Sequence, residues 1–468
     1  MATERLASWA VYLQYSDLPS SVIDGAVRSF YNWAGCAIGG SNHRTTTTAR
    51  NALSQFFGRP TSRILGSDES VRADASHAAL INGIASHVHD YDDTHLETII
   101  HPTGPVASAL LAQADAVGPE RPVTGEQFIL ALVVGIEAEC KVGLAVWPKH
   151  YDLGWHITST TGSIGAAVAV GKLIGLTATQ MAHAIGIAAT QVTGLREMFG
   201  SDTKSFHVGR AAQNGLMAAI LAEHGYTSST RALEAKRGWA RVVVGGEADD
   251  QEENDDSTTT KLDHQINTLG QTWEISKNAF KPFPCGIVVH PIIDGCIQIH
   301  HELDFSSNVD TNSIENIKTV RCRVHPLVLE LTGKQTPQDG LQAKFSVYHG
   351  AAVGLVFGKA GPSQYEDEVV TSEKVVRVRN KIDAVVDESL NADEAEIVVE
   401  FEGDGGQTST VKQRVVHAVG SLEMPMTDRQ LEDKFIDQVS PVVGEDGARR
   451  LSERFWGLKE AKTTGVDF

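Results

Sequence analysis

From residue 4 to about residue 245, apolar and polar positions follow a helical rhythm. The opening MATERLASWAVYLQYSDLP reads as an amphipathic first helix. Leu18-Pro19-Ser20-Ser21 breaks it, and the serines can cap a second helix carrying Val22, Ile23, Ala26, Val27 and Phe30 on one face. Residues 75–86 and 106–116 are helix-like, and residues 63–66 (RILG) form a short strand-like piece. Segments 125–144 and 163–174 are rich in Ala, Gly and Val. Helices with so many small side chains can pack closely into a helical core. This texture has no fixed period, so no solenoid is predicted.

Past residue 265 the pattern changes. Residues 317–324 (IKTVRCRV) and 395–401 (AEIVVEF) alternate like half-buried strands, with 375–378 a weaker strand candidate. Helical stretches at 291–300 and 343–356 lie between or beside them. Helix returns at 427–439 and 448–457. The prediction is a mainly α chain with an α+β part. A helical domain spans 1–266, an α+β domain 267–404, and C-terminal helices at 405–468 return to the first domain. The acidic run 247–256 (EADDQEENDD) reads as a solvated loop near the boundary.

Length and composition narrow the function. A chain of 468 residues suggests two or three domains, and 41% hydrophobic with 21% charged residues is ordinary for a soluble protein. A net charge of −19 argues against nucleic acid as partner and repels anionic substrates at long range. A binder of acids therefore needs a local cationic pocket. The five cysteines lack CxxC spacing and read as reduced thiols of an intracellular protein. The start is a poor signal peptide, and Gly, His or charge interrupts each apolar stretch within about 18 residues. No membrane segment is predicted, and the expected location is cytoplasmic.

The chemistry concentrates in residues 87–102, HVHDYDDTHLETIIHP. This stretch packs His87, His89, His95 and His101 with Asp90, Asp92, Asp93 and Glu97. Imidazoles and carboxylates held together shift one another's pKa, as acid–base catalysis near neutral pH requires. Two other readings stay open: a polar turn whose Asp92-Asp93-Thr94 caps helices, and a metal site built on His89, Asp90, Asp93 and His95. The spacing matches no HExxH-type motif. In GWHITSTTG (154–162), His156 precedes hydroxyl residues that can seat an anion at a helix start. In KSFHVGR (204–210), Lys204, His207 and Arg210 are cations at helical spacing after a helix start near Asp202, and can supply the missing pocket. In KPFPCG (281–286), two prolines can hold Lys281 in one place. There is no GxGxxG beside a strand, no P-loop and no GxSxG elbow.

In order and spacing, DYDDTHLETIIHP (90–102), GWHITSTTG (154–162), TKSFHVGRAAQNG (203–215) and KPFPCGIVVHPIID (281–294) resemble the MmgE/PrpD family. That family includes 2-methylcitrate dehydratase, cis-aconitate decarboxylase and fungal alkylcitrate dehydratases. The resemblance implies a large helical domain closed by the C-terminal helices, a smaller α+β lid, a homodimer, and no metal or organic cofactor. It places catalytic roles on Asp90, Thr94, His101, His156 and Lys204. The Asp90–His101 spacing is one residue longer than in the animal decarboxylases. Their active-site tyrosine would fall near residues 329–331, which here read Leu-Glu-Leu. Dehydration of 2-methylcitrate or a longer alkylcitrate is therefore the first expectation, and decarboxylation of cis-aconitate the second. Either reaction builds charge on a carboxylate, which His95, His207, Arg210 and Lys281 are suited to bind beside Lys204. His101 and His156 would serve as acid and base, with Asp90 setting the state of one of them. A non-catalytic tricarboxylate binder and a metallohydrolase are the rivals from other classes.

Overall fold

The computed structural model describes residues 1–68, 70–118, 120–246, 257–303, 314–402 and 407–462. The acidic run 247–256 lies outside the described residues. The chain divides into two units. The first comprises residues 1–88, 92–279 and 431–468, and the second residues 89–91 and 280–430.

The first unit is helical. Its main helices are α1 (Ala2–Tyr12), α2 (Ser20–Gly39), α3 (Ala75–His87), α4 (Thr103–Val117), α5 (Gly125–Val146), α6 (Ile157–Ile174), α7 (Ala178–Ala189) and α8 (Asp202–Glu223). Helices α3, α4, α5, α6 and α8 are buried along most of their length, which matches their wealth of small residues. Two glycine contacts set the geometry. A side chain at Gly83 of α3 would come within 2.5 Å of the Gly209 Cα on α8, and one at Gly215 of α8 within 2.5 Å of Ala166 on α6. Backbones this close bring the C-terminal end of α3 against the first turns of α8. Helix α6 is long and apolar enough to cross a membrane by length and composition, but 94% of it is buried inside the protein. Here it is a core helix.

Ser20 and Ser21 lie inside α2, whose N-cap is Pro19 with no side-chain cap bond, so they do not cap it. The strand-like piece at 63–66 is shorter and earlier than its pattern suggested. Strand β1 (Ser62–Arg63) pairs antiparallel with β2 (Arg72–Ala73). Strand β3 (Thr94–His95) pairs with β4 (Asn278–Ala279), so residues up to Ala279 belong to this unit.

The second unit carries a four-stranded sheet in the order β6-β5-β7-β8, from β5 (Ile317–Val324), β6 (Ile382–Val386), β7 (Ala395–Glu402) and β8 (Thr408–Val415). β5 and β6 are parallel and the other pairs antiparallel. Alternate residues of β7 (Ala395, Ile397, Val399 and Phe401) join a core shared with helices α9 (His290–Glu302) and α10 (Val347–Phe357). Residues 375–378 are not a strand. They lie in a helix, Glu373–Arg379, where Val375 and Val378 are buried at helical i, i+3 spacing.

The domain limits differ from the expected ones. The second unit begins at Phe280 rather than 267, because β4 binds β3. It ends at Gln430 rather than 404, because β8 completes the sheet. β8 is mostly exposed, so it lacks the apolar alternation that would mark a strand. Helices α11 (Asp428–Val443) and α12 (Glu445–Trp456) supply the return to the first unit. There the Tyr31 ring stacks on Phe435 and Trp456, its hydroxyl meets Ser452 Oγ at 2.7 Å, and Lys434 donates to Asn32 at 2.7 Å.

Candidate active site

The close approach of α3 and α8 positions an imidazole cluster in the first unit. His87 is the last residue of α3, and its buried Nδ1 lies 2.9 Å from both carboxylate oxygens of Asp92. Its Nε2 lies 2.9 Å from Nζ of Lys204, in the first turn of α8. Lysine only donates, so Nε2 is the acceptor and the hydrogen of the neutral ring sits on Nδ1, facing Asp92. One turn further along α8, His207 Nδ1 is 3.0 Å from Nδ1 of His156, the N-cap residue of α6. One ring donates and the other accepts. Burial, together with Lys204 and the neighbouring histidines, drives the pKa of His156 well below 6.5. Burial, His87 and Lys204 lower His207 to about 4. Both rings are neutral at neutral pH.

His101 completes the cluster. Its Nδ1 donates to the Asp93 carbonyl at 2.9 Å, so this nitrogen carries a hydrogen. The same Nδ1 lies 3.4 Å from Thr94 Oγ1 and 3.5 Å from Asp92. The ring centroids of His87 and His101 are 4.7 Å apart, and those of His87 and His156 6.1 Å. The turn before His101 is strained. Ile99 adopts φ +58°, a conformation that β-branched side chains disfavour and that costs about 1–3 kcal/mol. Two bonds hold it: His95 N–H to Ile100 O, and Ile99 N–H to His95 O.

Near the imidazoles lie carboxyl groups whose protonated form burial favours. Asp93 Oδ2 accepts from Thr103 Oγ1 at 2.6 Å and Asn278 Nδ2 at 2.8 Å. Burial, reinforced by Asp92, raises its pKa to about 7. Burial also lifts Glu139 of α5 well above the usual range, against a hydrogen bond from Thr161.

Several expected site residues are placed differently. His95 is engaged elsewhere. Both its ring nitrogens are occupied, by Thr98 at 2.7 Å and Glu274 at 3.0 Å, so the substrate-binding role expected for it is not supported. Arg210 is half-buried and donates to Gln213 at 2.6 Å, not to an imidazole. Asp90 and Lys281 belong to the second unit, where Nζ lies 3.1 Å from Asp90 Oδ1 and donates to the Asp90 and Cys285 carbonyls. Asp90 also has φ +51°. The histidine-orienting role expected of Asp90 falls in the first unit to Asp92 and the Asp93 carbonyl. His87 stood outside the candidates, and Asp92 was a candidate of the stretch with no role assigned. The signal that finds them is position, since His87 ends a helix five residues before Asp92.

The hydroxyls after His156 are bonded within the protein. Thr158 accepts from His101 N–H, Thr160 meets His150, and Ser159 meets Thr193. They do not form the expected anion seat. The residues expected of a metallohydrolase are not gathered either, since His95 is bound to Glu274 and Asp93 to Thr103 and Asn278. His87, Asp92 and His101 do lie within 4.8 Å of one another in ligand atoms. The Lys204 ammonium, however, already occupies the His87 lone pair a metal would need. Cys285 is buried, and its thiol is pushed up to about 12, so it is no nucleophile at neutral pH.

Several known proteins are similar to this chain in sequence. The chain is 26% identical to the cis-aconitate decarboxylase-like protein oryM of Aspergillus oryzae, over 98% of this chain and 94% of that protein. It is 24% identical to the cis-aconitate decarboxylase of Homo sapiens, over 99% and 93%. The 2-methylcitrate dehydratase of Salmonella typhimurium is 23% identical, over 65% of this chain and 61% of that protein. Residues 4–252 match the MmgE/PrpD N-terminal domain and residues 283–459 the MmgE/PrpD C-terminal domain, so this chain belongs to the MmgE/PrpD family.

Proposed function

We propose that this chain is a lyase acting on a citrate- or aconitate-like tricarboxylate, with decarboxylation of the cis-aconitate type as its reaction. The observation that carries the proposal is the cluster itself. In a chain of net charge −19, the Lys204 ammonium bonds to His87 in a cluster of four imidazoles, two of which lie on Asp92. That is a local cationic pocket for a polyanion. The order of the two reactions reverses the sequence expectation. Proteins named as decarboxylases match 96–99% of this chain, whereas those named as dehydratases match 65%.

The steps follow from the residues. Bound carboxylates bring negative charge to the imidazoles, which favours their protonated form. The C–CO₂ bond breaks, CO₂ leaves, and the electron pair spreads toward a remaining carboxylate held by Lys204. His101 returns a proton to carbon. Dehydration remains the second reading, and residues 329–331 favour it: the tyrosine of the decarboxylase branch would fall near them, and they read Leu-Glu-Leu. In that reaction His101 Nε2 removes the proton α to a carboxylate, and the β-hydroxyl leaves as water after protonation by His156. Homodimeric assembly, independence of cofactors and a cytoplasmic location complete the proposal.

The test is a mass-resolved product assay on cis-aconitate, 2-methylcitrate and a longer alkylcitrate in parallel. Loss of CO₂ from cis-aconitate is expected. Loss of water from a citrate alone replaces decarboxylation with dehydration. Turnover of none of them removes the lyase proposal for these acids.

A further inference from the structure

Separate from the imidazole cluster, the first unit has a cavity of about 790 Å³, walled by α7, α8 and residues 226–243. Its size lies within the range of small-ligand sites. None of His87, Asp92, His101, His156, Lys204 and His207 lines it. Ile187, Met217, Leu221, Trp239, Val242 and Val243 give it apolar walls. Met217, Tyr226 and Val242 are 38%, 61% and 62% exposed, so three large apolar side chains share one opening. The charged groups have one sign. Arg231 and Arg237 line the cavity, and among the described residues no Asp or Glu does. Neither guanidinium makes a hydrogen bond or ion pair among the described residues. The rim that carries them is fixed by its own bonds. Ser228 donates its N–H to His183 Nδ1 at 3.1 Å and its hydroxyl to the His183 carbonyl at 3.0 Å. Ser229 Oγ accepts the Arg231 N–H at 3.2 Å. A side chain at Gly186 of α7 would come within 2.2 Å of Ser228 Oγ, so the rim lies directly on α7. Further along, the Trp239 and Ala240 N–H groups donate to the Ala232 and Leu233 carbonyls at 2.8 and 3.1 Å.

We propose that this cavity binds a carboxylate with a single long apolar arm. The arm lies along Met217, Leu221, Val242 and Val243, and Arg231 and Arg237 hold the carboxylate. Charge and shape carry the assignment together. A guanidinium offers paired N–H donors that match the two oxygens of a carboxylate. A small polyanion would meet the arginines and leave the apolar walls bare. A neutral chain would cover the walls and leave both arginines without an anion. A chain ending in a carboxylate satisfies both, and the apolar area it buries supplies most of the affinity. In a chain of net charge −19, a wall with two arginines and no acid attracts an anion that the rest of the surface repels. The proposal does not rest on the lyase reading, because it shares no residue with the imidazole cluster.

The experiment titrates the full-length protein with decanoate, octanoate, decanol and acetate, read by calorimetry and by tryptophan fluorescence. Decanoate is expected to bind with a Kd of about 10–100 µM, the scale for a ligand of about a dozen non-hydrogen atoms. Each methylene removed should weaken binding by about fourfold, so octanoate falls by roughly 15-fold and acetate does not bind. Arg231→Ala and Arg237→Ala, both at exposed positions, should each weaken decanoate by about tenfold. Met217→Glu should abolish binding, and Trp239→Phe should remove the fluorescence change while calorimetry still shows binding. Lys204→Ala should leave the decanoate Kd within about twofold of wild type, because the two sites are independent. If Met217→Glu does not fold, the two arginine variants decide. The proposal is overturned if decanoate does not bind at about 1 mM, or if decanol binds as tightly as decanoate. It is also overturned if both arginine variants bind like wild type. Loss of binding in Lys204→Ala would move the ligand to the imidazole cluster and overturn it as well. A wild-type dimer that ignores decanoate, and that Met217→Glu separates into monomers, would show a second copy of the chain covering the cavity instead.

Discussion

The first unit contains two buried networks built from the same residue types, and they are arranged in opposite ways. In one, all three N–H bonds of Lys141 are spent, on Thr268 and Thr272 at 2.8 Å and Glu274 at 2.6 Å. Glu274 also accepts from His95 and pairs with Lys277 at 2.8 Å. Burial would raise Glu274, but bonds from His95, Lys141 and Lys277 outweigh it and hold the group well below the usual carboxylate range. This network is closed, with charge met by charge. In the other, Lys204 bonds to His87, His87 and His101 lie on Asp92, and burial keeps His156 and His207 neutral. Here two of the rings are held neutral instead of charged. We propose that this second, open network is the one that receives an anion. The lesson is that residue type does not mark a site; the state in which its surroundings hold each group does.

The largest expected effect breaks the open network. Lys204→Ala and His101→Ala should each lower kcat/KM by about 10³-fold or more, with the melting temperature close to wild type. Steady-state kinetics beside a melting curve checks both halves. Near-wild-type turnover in either variant removes that residue from the mechanism. The closed network should respond the other way. Lys141→Met leaves buried Glu274 short of its ammonium, and breaking a buried pair costs about 3–5 kcal/mol of stability. The folded fraction of that variant should keep its kcat, which denaturant unfolding and active-site titration together would show. Loss of kcat at unchanged stability would mean that the two networks are one.

A third prediction concerns the layer beneath the open network. Asp93 is raised from 3.8 to about 7 by burial, so the native state keeps its proton over a range where the unfolded chain has lost it. Its contribution to stability is full below about pH 4 and is lost as pH rises through about 7. Asp93→Asn removes that titration. The stability of this variant relative to wild type should therefore rise from about pH 4 to 7 and then level off, by a few kcal/mol in all. His150 and His207, lowered to about 4, have the opposite sign: their contribution is present above about 6.5 and is lost as pH falls through about 4. Both proteins carry them, so they cancel in the difference. A flat difference would show that Asp93 is ionised when folded.

Much of this was legible in the chain. The helical rhythm of the first part, and the alternation at 317–324 and 395–401, gave the mainly α class with an α+β part, because amphipathic period is local information. His101, His156 and Lys204 were legible through their motifs and meet in one cluster. What escaped depends on packing. β8 is an exposed edge with no apolar period, so the limit at 404 fell short of Gln430. His95 shares its stretch with His101, yet the turn closed by the His95–Ile100 bond sends it toward Glu274. Its partner is 179 positions away, beyond any spacing rule. His87 was visible as a histidine but not as the partner of Lys204, because that depends on how closely α3 and α8 approach at Gly83 and Gly209.

The smallest expected effect tests where the open network ends. Arg210 follows His207 by three residues on α8, a spacing that puts both on one helix face. Its guanidinium nevertheless donates to Gln213 at 2.6 Å, and Gln213 donates in turn to Ser76 in the first turn of α3. That chain of bonds ties the middle of α8 to the first turn of α3, away from His87 and Lys204. Arg210→Ala should change kcat/KM by less than about threefold and stability by about 1 kcal/mol, the worth of one hydrogen bond. The informative departure is a KM raised about tenfold at unchanged kcat, the pattern left by losing a contact made equally in ground and transition states. That result would mean the bound acid draws Arg210 away from Gln213, and that the open network extends along α8 as far as the guanidinium.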